Sequence, residues 1–157
     1  MLSLVEFEEK DIDIVYGIQQ AAYKPLYDKY QDDETNPYME KKEITFQKYM
    51  REGTKGYIFY KDNIPVGAVR ILVDILNKTA RVSALGVLPE YQGQGIAREA
   101  MLKIEKIHSD IEKWNLDTIL QEAGNCHLYE KLGYRRTGKT EEINEKMTLV
   151  YYEKNKQ

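Results

Sequence analysis

Cysteine and histidine are scarce in this chain, which has one cysteine and two histidines among its 157 residues. A single cysteine excludes a disulfide within the chain and is typical of proteins kept in a reducing compartment. One cysteine and two histidines are also too few for an ordinary structural zinc site, which is built mainly from such ligands. From these shortages we expect a cytoplasmic protein that holds no structural metal.

Long apolar runs and clusters of basic residues are also missing. The first nine residues, MLSLVEFEE, lack the basic start and apolar stretch of a signal peptide, and they are too polar for a membrane anchor. Lysine and arginine number 23 against 26 aspartate and glutamate, which gives a net charge of −3. This balance is not typical of proteins that bind nucleic acids. We therefore expect neither a nucleic acid nor a membrane among the partners.

No repeat, low-complexity segment or Gly/Ser-rich linker divides the chain, so we predict one domain over residues 1–157. Helical periodicity and turn residues predict two early helices separated by a loop. The rest of the pattern is mainly that of strands, broken by one long helix and one short helix. The predicted elements are a strand at 2–8, helices at 11–23 and 36–50, strands at 57–61, 65–73 and 80–88, a helix after 95, a strand at 116–120, a helix at 125–132, and strands at 134–139 and 147–152. Their order is βαα–βββ–α–β–α–ββ.

The most informative segment is the turn at residues 92–97, Gln-Gly-Gln-Gly-Ile-Ala, which joins a predicted strand to an amphipathic helix. A glycine-bearing turn at a helix N-terminus presents unpaired amides and the positive end of the helix dipole, an arrangement that binds phosphate. Gly93 and Gly95 lack a Cβ and let the backbone come close to a ligand. The same glycines also fit a plain turn, so both readings stay open at this point. The spacing excludes a Walker loop and a dinucleotide-binding fingerprint.

Two segments carry a resemblance to a known family. Residues 84–97, ALGVLPEYQGQGIA, resemble motif A of the GCN5-related N-acetyltransferase (GNAT) family, whose pattern is Gln/Arg-x-x-Gly-x-Gly/Ala. Its fixed positions are matched by Gln92, Gly95 and Ala97. Residues 128–134, LYEKLGY, resemble the family's late signature, a tyrosine on a short helix that ends in Lys-x-Gly-aromatic. Two motifs in the family's order are more specific than one, and the resemblance extends over residues 56–152.

The resemblance implies a fold and a cosubstrate. The fold is an α/β arrangement with a mixed central sheet and helices on both faces, and the cosubstrate is acetyl-CoA. The alternation of strand 82–88 slips near Ala84-Leu85, as it does at a β-bulge. In this family such a bulge separates two strands, so that pantetheine pairs with the free edge. The implied cofactor-binding residues are Leu85, Gly86, Val87, Gln92, Gly93, Gln94, Gly95, Ile96 and Ala97. In the alternative reading, Gly86 only permits close packing.

Catalytic roles follow from the same resemblance. Tyr129 occupies the position of the family's acid, and a phenol stays protonated at neutral pH and can donate to a departing sulfur. In a chain with 13 tyrosines, a plain core tyrosine is the competing interpretation. Many members carry an asparagine where this chain has Glu122, and here Asn125 either contacts CoA or caps the short helix. The candidates for the general base are Glu122, Asp74 and a water relay.

Residues 23–34 border the acceptor side in this family and contain three tyrosines and four acids. Such a segment favours a cationic amine, although it is also typical of a solvated loop. We therefore predict acetyl transfer to a small cationic primary amine by direct attack in a ternary complex. The alternatives are acetylation of a protein or peptide, and a CoA-binding module without turnover. A homodimer is common in the family, but no interface is evident from the sequence.

Overall fold

A computed structural model describes residues 1–156 of the protein as a seven-stranded mixed sheet with helices on both faces. The strands are β1 (Leu2–Glu6), β2 (Thr54–Lys61), β3 (Ile64–Asp74), β4 (Thr79–Val87), β5 (Lys113–Ile119), β6 (Arg135–Asn144) and β7 (Met147–Asn155). The helices are α1 (Ile12–Tyr30), α2 (Lys42–Met50), α3 (Ile96–Ile107) and α4 (Ala123–Lys131). This order of elements confirms the predicted one. No helix within the described residues has both the length and the apolar character needed to cross a membrane.

The sheet opens between its central strands. The strand order is β1-β2-β3-β4-β5-β7-β6, and every neighbouring pair is antiparallel except β4 and β5. Residues 79–81 of β4 pair with residues 113–115 of β5, and the ladder stops there. Strand β5 continues beside β7 as far as Ile119. The C-terminal half of β4 therefore has a free edge, and a cleft opens at the fork.

The β-bulge predicted near Ala84 is present in β4. Ala84 lies opposite Arg70 and Val82 lies opposite Ile71, so Ser83 is the extra residue. A bulge bends the strand that carries it and increases the local twist. The bend turns the second half of β4 away from β5, which explains why the parallel ladder is short.

Apolar side chains are buried on both faces of the sheet. On one face, Val15 and Ile18 of α1 and Tyr49 of α2 pack against Ile58 and Ala68. On the other face, the apolar stripe of α3 packs against the middle strands; its fully buried members are Ala100, Met101 and Ile104. Each large apolar side chain buried in this way contributes about 1.5–3 kcal/mol to folding. The buried side chains on both faces fix the positions of the strands around the fork.

Helix α1 is longer than predicted. The loop expected at residues 25–35 begins only after Tyr30, and Pro25 lies inside the helix. A proline there removes one backbone hydrogen bond, but the buried face continues through Ala22, Leu26 and Tyr30 at intervals of one turn. Tyr30 is only 4% exposed. Burial of this continued stripe outweighs the lost hydrogen bond.

The second helix starts later than predicted. Asn36 caps a short 3₁₀ turn at Pro37–Met39, and its side-chain oxygen accepts a hydrogen bond from the Tyr38 amide at 2.8 Å. Helix α2 begins only at Lys42. An asparagine cap followed by proline is typical of a helix start, and the helix was predicted from residue 36, but here Asn36-Pro37 starts only a single turn.

Candidate active site

A cleft of about 710 Å³ lies where β4 and β5 diverge. The structure brings almost all the predicted site residues to it. Those that line it are Leu85, Gly86, Val87, Gln92, Gly93, Gly95, Ile96, Ala97, Asn125 and Tyr129. The side chain of Gln94 instead accepts a hydrogen bond from Lys61 at 2.6 Å, and Gln94 is not part of the lining.

The turn before α3 has the geometry of an anion site. Gly93 and Gly95 have φ angles of 78° and 80°, a left-handed conformation that glycine adopts without strain. Within residues 1–156, the amides of residues 93–98 donate no hydrogen bond to a protein acceptor; the first bond of α3 runs from the Glu99 amide to the Gly95 carbonyl at 3.0 Å. These amides, together with the helix dipole, form a row of donors at the mouth of the cleft.

Arg98 lies in the first turn of α3 and also lines the cleft. Its side chain is exposed, and no carboxylate in the described part of the chain forms an ion pair with it. Arg98 was not predicted, because it follows the fixed positions of the motif. A signal was present: a cation in a first helical turn opposes the helix dipole, which favours acids there.

The free edge of β4 presents the peptide groups of Leu85 and Val87. The Leu85 amide donates to the Tyr23 hydroxyl at 3.0 Å, and the Leu85 carbonyl accepts from the same hydroxyl at 2.9 Å. The Val87 carbonyl accepts from the Gln92 side-chain amide at 3.0 Å, which fixes the turn against the strand end. Both peptide groups thus face away from β3, as pairing with pantetheine requires. The contact of Leu85 with Tyr23 was not expected from the sequence.

Two of the tyrosines that line the cleft, Tyr23 and Tyr129, have phenols with raised pKa values. Burial raises the pKa of Tyr23 to about 12, although the hydrogen bond from Leu85 opposes the shift. Burial also raises the pKa of Tyr129 well above its ordinary value, and nearby Tyr23 and Asp117 add to the shift. Tyr129 is 8% exposed, and its hydroxyl forms no hydrogen bond with another residue described in the structure. Both side chains are therefore neutral donors at physiological pH.

Neither predicted carboxylate base lies in the cleft. Glu122 accepts hydrogen bonds from Lys29 at 2.7 Å and from the hydroxyl of Tyr30. Burial raises the pKa of Glu122, but the hydrogen bonds from Lys29 and Tyr30 outweigh it and hold the pKa below its ordinary value. Asp74 lies opposite Thr79, at the end of β3 and β4 that is remote from the cleft. Glu122 thus joins the end of α1 to the start of α4.

Three other carboxylates line the cleft: Asp32, Asp117 and Glu141. Asp117 lies on β5 at the fork and forms an ion pair with Arg81 across it. Glu141 lies on β6 and accepts a hydrogen bond from the Tyr151 hydroxyl at 2.9 Å. Asp117 and Glu141 were not predicted, since the direction of their side chains depends on strand pairing. The alternation of polar and apolar residues in β5 was the available signal.

Only one acid of the predicted acceptor segment lines the cleft. Asp32 is 2% exposed and accepts hydrogen bonds from the amides of Glu34 and Thr35, both at 2.9 Å. Asp33 instead accepts from the Tyr27 hydroxyl at the exposed surface. The segment is therefore partly helix α1 and partly a loop shaped around Asp32.

Asn125 lies in the first turn of α4, and Glu122 occupies the capping position of that helix. Of the two alternatives for Asn125, the helix cap is therefore wrong. Asn125 is half-buried and lines the cleft. Its contact with CoA stays a prediction.

Several known proteins share this architecture. Residues 23–134 match the model of the acetyltransferase (GNAT) family. The ribosomal-protein-S18-alanine N-acetyltransferase from Escherichia coli has a similar structure, with a TM-score of 0.80, 16% identity, and coverage of 99% of this chain and 94% of that one. For PaiA N-acetyltransferase from Thermoplasma acidophilum in complex with coenzyme A, the TM-score is 0.79, the identity 17% and the coverage 99% of both chains.

The spermidine N-acetyltransferase from Vibrio cholerae, in complex with CoA and spermine, is also similar, with a TM-score of 0.76 and 19% identity over 97% of this chain and 94% of that one. At such identities the likeness shows the fold. Among curated proteins, no sequence matches the chain significantly.

Proposed function

Because the chain belongs to the acetyltransferase (GNAT) family, whose N-acetyltransferases use acetyl-CoA, we propose that its cleft transfers an acetyl group to a small cationic amine. The observation that carries this proposal is the row of free amides at residues 93–98, which lies at one side of a cleft whose other side carries carboxylates. An anion binds at the first side and a cation at the second. Acetyl-CoA and an ammonium group have these complementary charges.

The donor lies along the open edge of β4 in this proposal. The pyrophosphate accepts hydrogen bonds from the amides of residues 93–98, and Arg98 adds a positive charge beside it. Pantetheine follows the edge and pairs with Val87, and the thioester reaches Leu85. Asn125 contacts the pantetheine from the start of α4. These placements use the predicted cofactor residues that line the cleft, except Gly86 and Gln92.

Loss of Arg98 tests the donor placement. Arg98→Ala is expected to weaken acetyl-CoA binding about fivefold at low salt, since an exposed charge-assisted contact to phosphate is lost, and the difference should shrink as salt screens it. Titration calorimetry at two salt concentrations measures both effects. Lys106→Ala is the matched control, because it removes an exposed positive charge from the same helix outside the cleft. Equal affinities for the two variants would contradict the placement of the pyrophosphate.

Each group beside the thioester has a role in the proposed reaction. Asp117, which is close enough to raise the pKa of both phenols, takes a proton from the ammonium group so that the amine can attack. The Leu85 amide stabilises the oxyanion that forms on the carbonyl. Tyr129 then donates its proton to the departing sulfur as the C–S bond breaks, and the second proton that the nitrogen loses restores the phenol. Holding both substrates in one cleft supplies a further part of the rate by proximity.

The acceptor side favours a cationic amine. Glu141 has no lysine or arginine within ion-pair distance in residues 1–156, and it lies beside Tyr151, whose ring already holds a cation, the Lys139 ammonium group, 4.3 Å from its centroid. Asp32 adds a second negative charge to the cleft lining. Similar structures include enzymes for spermidine and for an alanine of a ribosomal protein. Incubation with acetyl-CoA, spermidine and an alanine-ended peptide, followed by mass spectrometry, separates the two classes: acetyl-spermidine supports the proposal, and acetylated peptide alone contradicts it.

A single substitution on β6 tests the acceptor side. Glu141→Gln is expected to raise KM for a diamine about five- to tenfold, because one charge contact to the distal ammonium group is lost, with little change in KM for acetyl-CoA. Glu142→Gln is the control, since Glu142 is the next residue on β6 and lies outside the cleft lining. Steady-state kinetics with both substrates varied measures the effect. An unchanged amine KM in Glu141→Gln would remove Glu141 from the acceptor site.

A further inference from the structure

One side chain of α1 occupies both polar groups of a β4 peptide. The Tyr23 hydroxyl accepts from the Leu85 amide at 3.0 Å and donates to the Leu85 carbonyl at 2.9 Å. These are the contacts that a neighbouring strand would make with Leu85, at a position where β5 has already turned away. The proposed function needs the same Leu85 N–H for the thioester oxygen. A single N–H group makes one good hydrogen bond, so the two acceptors compete for it.

Helix α1 packs closely against β4 beside this contact. A Cβ built on Gly86 would come within 2.9 Å of the Ala22 Cβ and within 3.5 Å of the Tyr23 ring. The helix and the strand are thus already in close contact, and Gly86 is required for it. Rotation of the Tyr23 side chain into the adjoining cleft would release Leu85 without disturbing this packing.

We propose that Tyr23 competes with the acyl donor for Leu85: its hydroxyl holds the Leu85 N–H and yields it to the thioester oxygen when acetyl-CoA binds. The inference rests on the proposed function. Breaking the Tyr23–Leu85 hydrogen bond lowers the affinity only for an acylated ligand, because CoA without an acetyl group has no thioester oxygen to place on Leu85. Tyr23 therefore lowers the preference of the site for acetyl-CoA over CoA.

The test compares two ligands and two tyrosines by titration calorimetry. Tyr23→Phe is expected to bind acetyl-CoA about three- to tenfold more tightly than the wild type does, the change that corresponds to one hydrogen bond, and to bind CoA with unchanged affinity. Tyr27→Phe, one turn further along α1, loses a hydroxyl that bonds to Asp33 at the exposed surface, and it should behave as wild type with both ligands.

Unchanged or weaker binding of acetyl-CoA by Tyr23→Phe would overturn the role of Tyr23 and leave the proposed function standing. A wild-type protein that binds neither ligand would overturn the proposed function itself. A crystal structure of the wild type with acetyl-CoA gives a second measurement that needs no variant. The Tyr23 oxygen should then lie beyond about 3.5 Å from the Leu85 nitrogen, outside hydrogen-bond range, and a retained contact would overturn the inference.

Discussion

Tyr129→Phe is expected to lower kcat about 100-fold or more and to leave the dissociation constant of acetyl-CoA nearly unchanged. The phenol lines the cleft, and its hydroxyl has no partner among residues 1–156, so it is available to the departing sulfur. Loss of a general acid typically costs about 10²–10⁴ in rate. The ring stays in place and keeps its packing, so binding should survive. Steady-state kinetics, with a separate binding titration, distinguishes the two effects.

Tyr134→Phe is the matched control for this prediction. The rings of Tyr129 and Tyr134 lie edge to face, with centroids 5.9 Å apart, but the Tyr134 hydroxyl donates to Glu105, and Tyr134 is not part of the cleft lining. Its loss should lower stability by about 1 kcal/mol and leave kcat unchanged. If Tyr129→Phe turns over at the wild-type rate, Tyr129 is a core tyrosine and not the acid.

The pH dependence of the wild type gives a second check on Tyr129. Burial raises the pKa of its phenol, so the proton is lost only above the ordinary value near 10. An acid with a raised pKa is fully protonated at lower pH, and its contribution declines only as pH rises through the raised value. We therefore expect no decline in kcat from this group up to about pH 10.

Ala97→Glu is expected to weaken acetyl-CoA binding about 100-fold. Ala97 lies in the first turn of α3 and lines the cleft beside the free amides, where a carboxylate would meet the pyrophosphate. Two like charges about 4 Å apart repel by about 4 kcal/mol in the effective dielectric of a protein surface. The same carboxylate is favourable for the helix, because an acid in the first turn complements the dipole. The thermal midpoint should therefore stay the same or rise while binding is lost.

Ala97→Gln separates charge from size. Its side chain has almost the same volume without the charge, so it should weaken acetyl-CoA binding much less than Ala97→Glu does. Calorimetric titrations of the two variants, with thermal unfolding as a check on folding, make the comparison. Equal losses would mean that bulk and not charge is responsible, and an unaffected Ala97→Glu would place the pyrophosphate elsewhere.

Local signals made much of the fold predictable from the sequence. Strands were predicted at 57–61 and 65–73, and Asp62-Asn63 between them adopts the positive φ angles of a tight hairpin turn, 51° and 69°. Helix α1 was predicted too short, because Pro25 is a strong local breaker. What holds the helix past Pro25 is burial of Tyr30 near Ile119 of β5, a contact that local patterns do not contain.

In the candidate site, too, local features were predicted and contacts between distant residues were not. The turn with Gly93 and Gly95 was predicted because its requirement for glycine is local. Glu122 was expected near the cleft, but its direction is set by the last turn of α1, which the sequence analysis had taken for a loop. The contact of Tyr23 with Leu85 joins residues 62 positions apart and depends on the complete sheet. The single domain, the cytoplasmic location and the homodimer stay predictions.

Titration of the wild-type protein with acetyl-CoA, beside ATP and beside the Ala97→Glu variant, shows whether the fork between β4 and β5 binds acetyl-CoA through the amides that open α3. We expect micromolar binding of acetyl-CoA to the wild type, no comparable binding of ATP, and loss of acetyl-CoA binding in Ala97→Glu. Absence of acetyl-CoA binding, or binding of equal strength in the wild type and in Ala97→Glu, would contradict it.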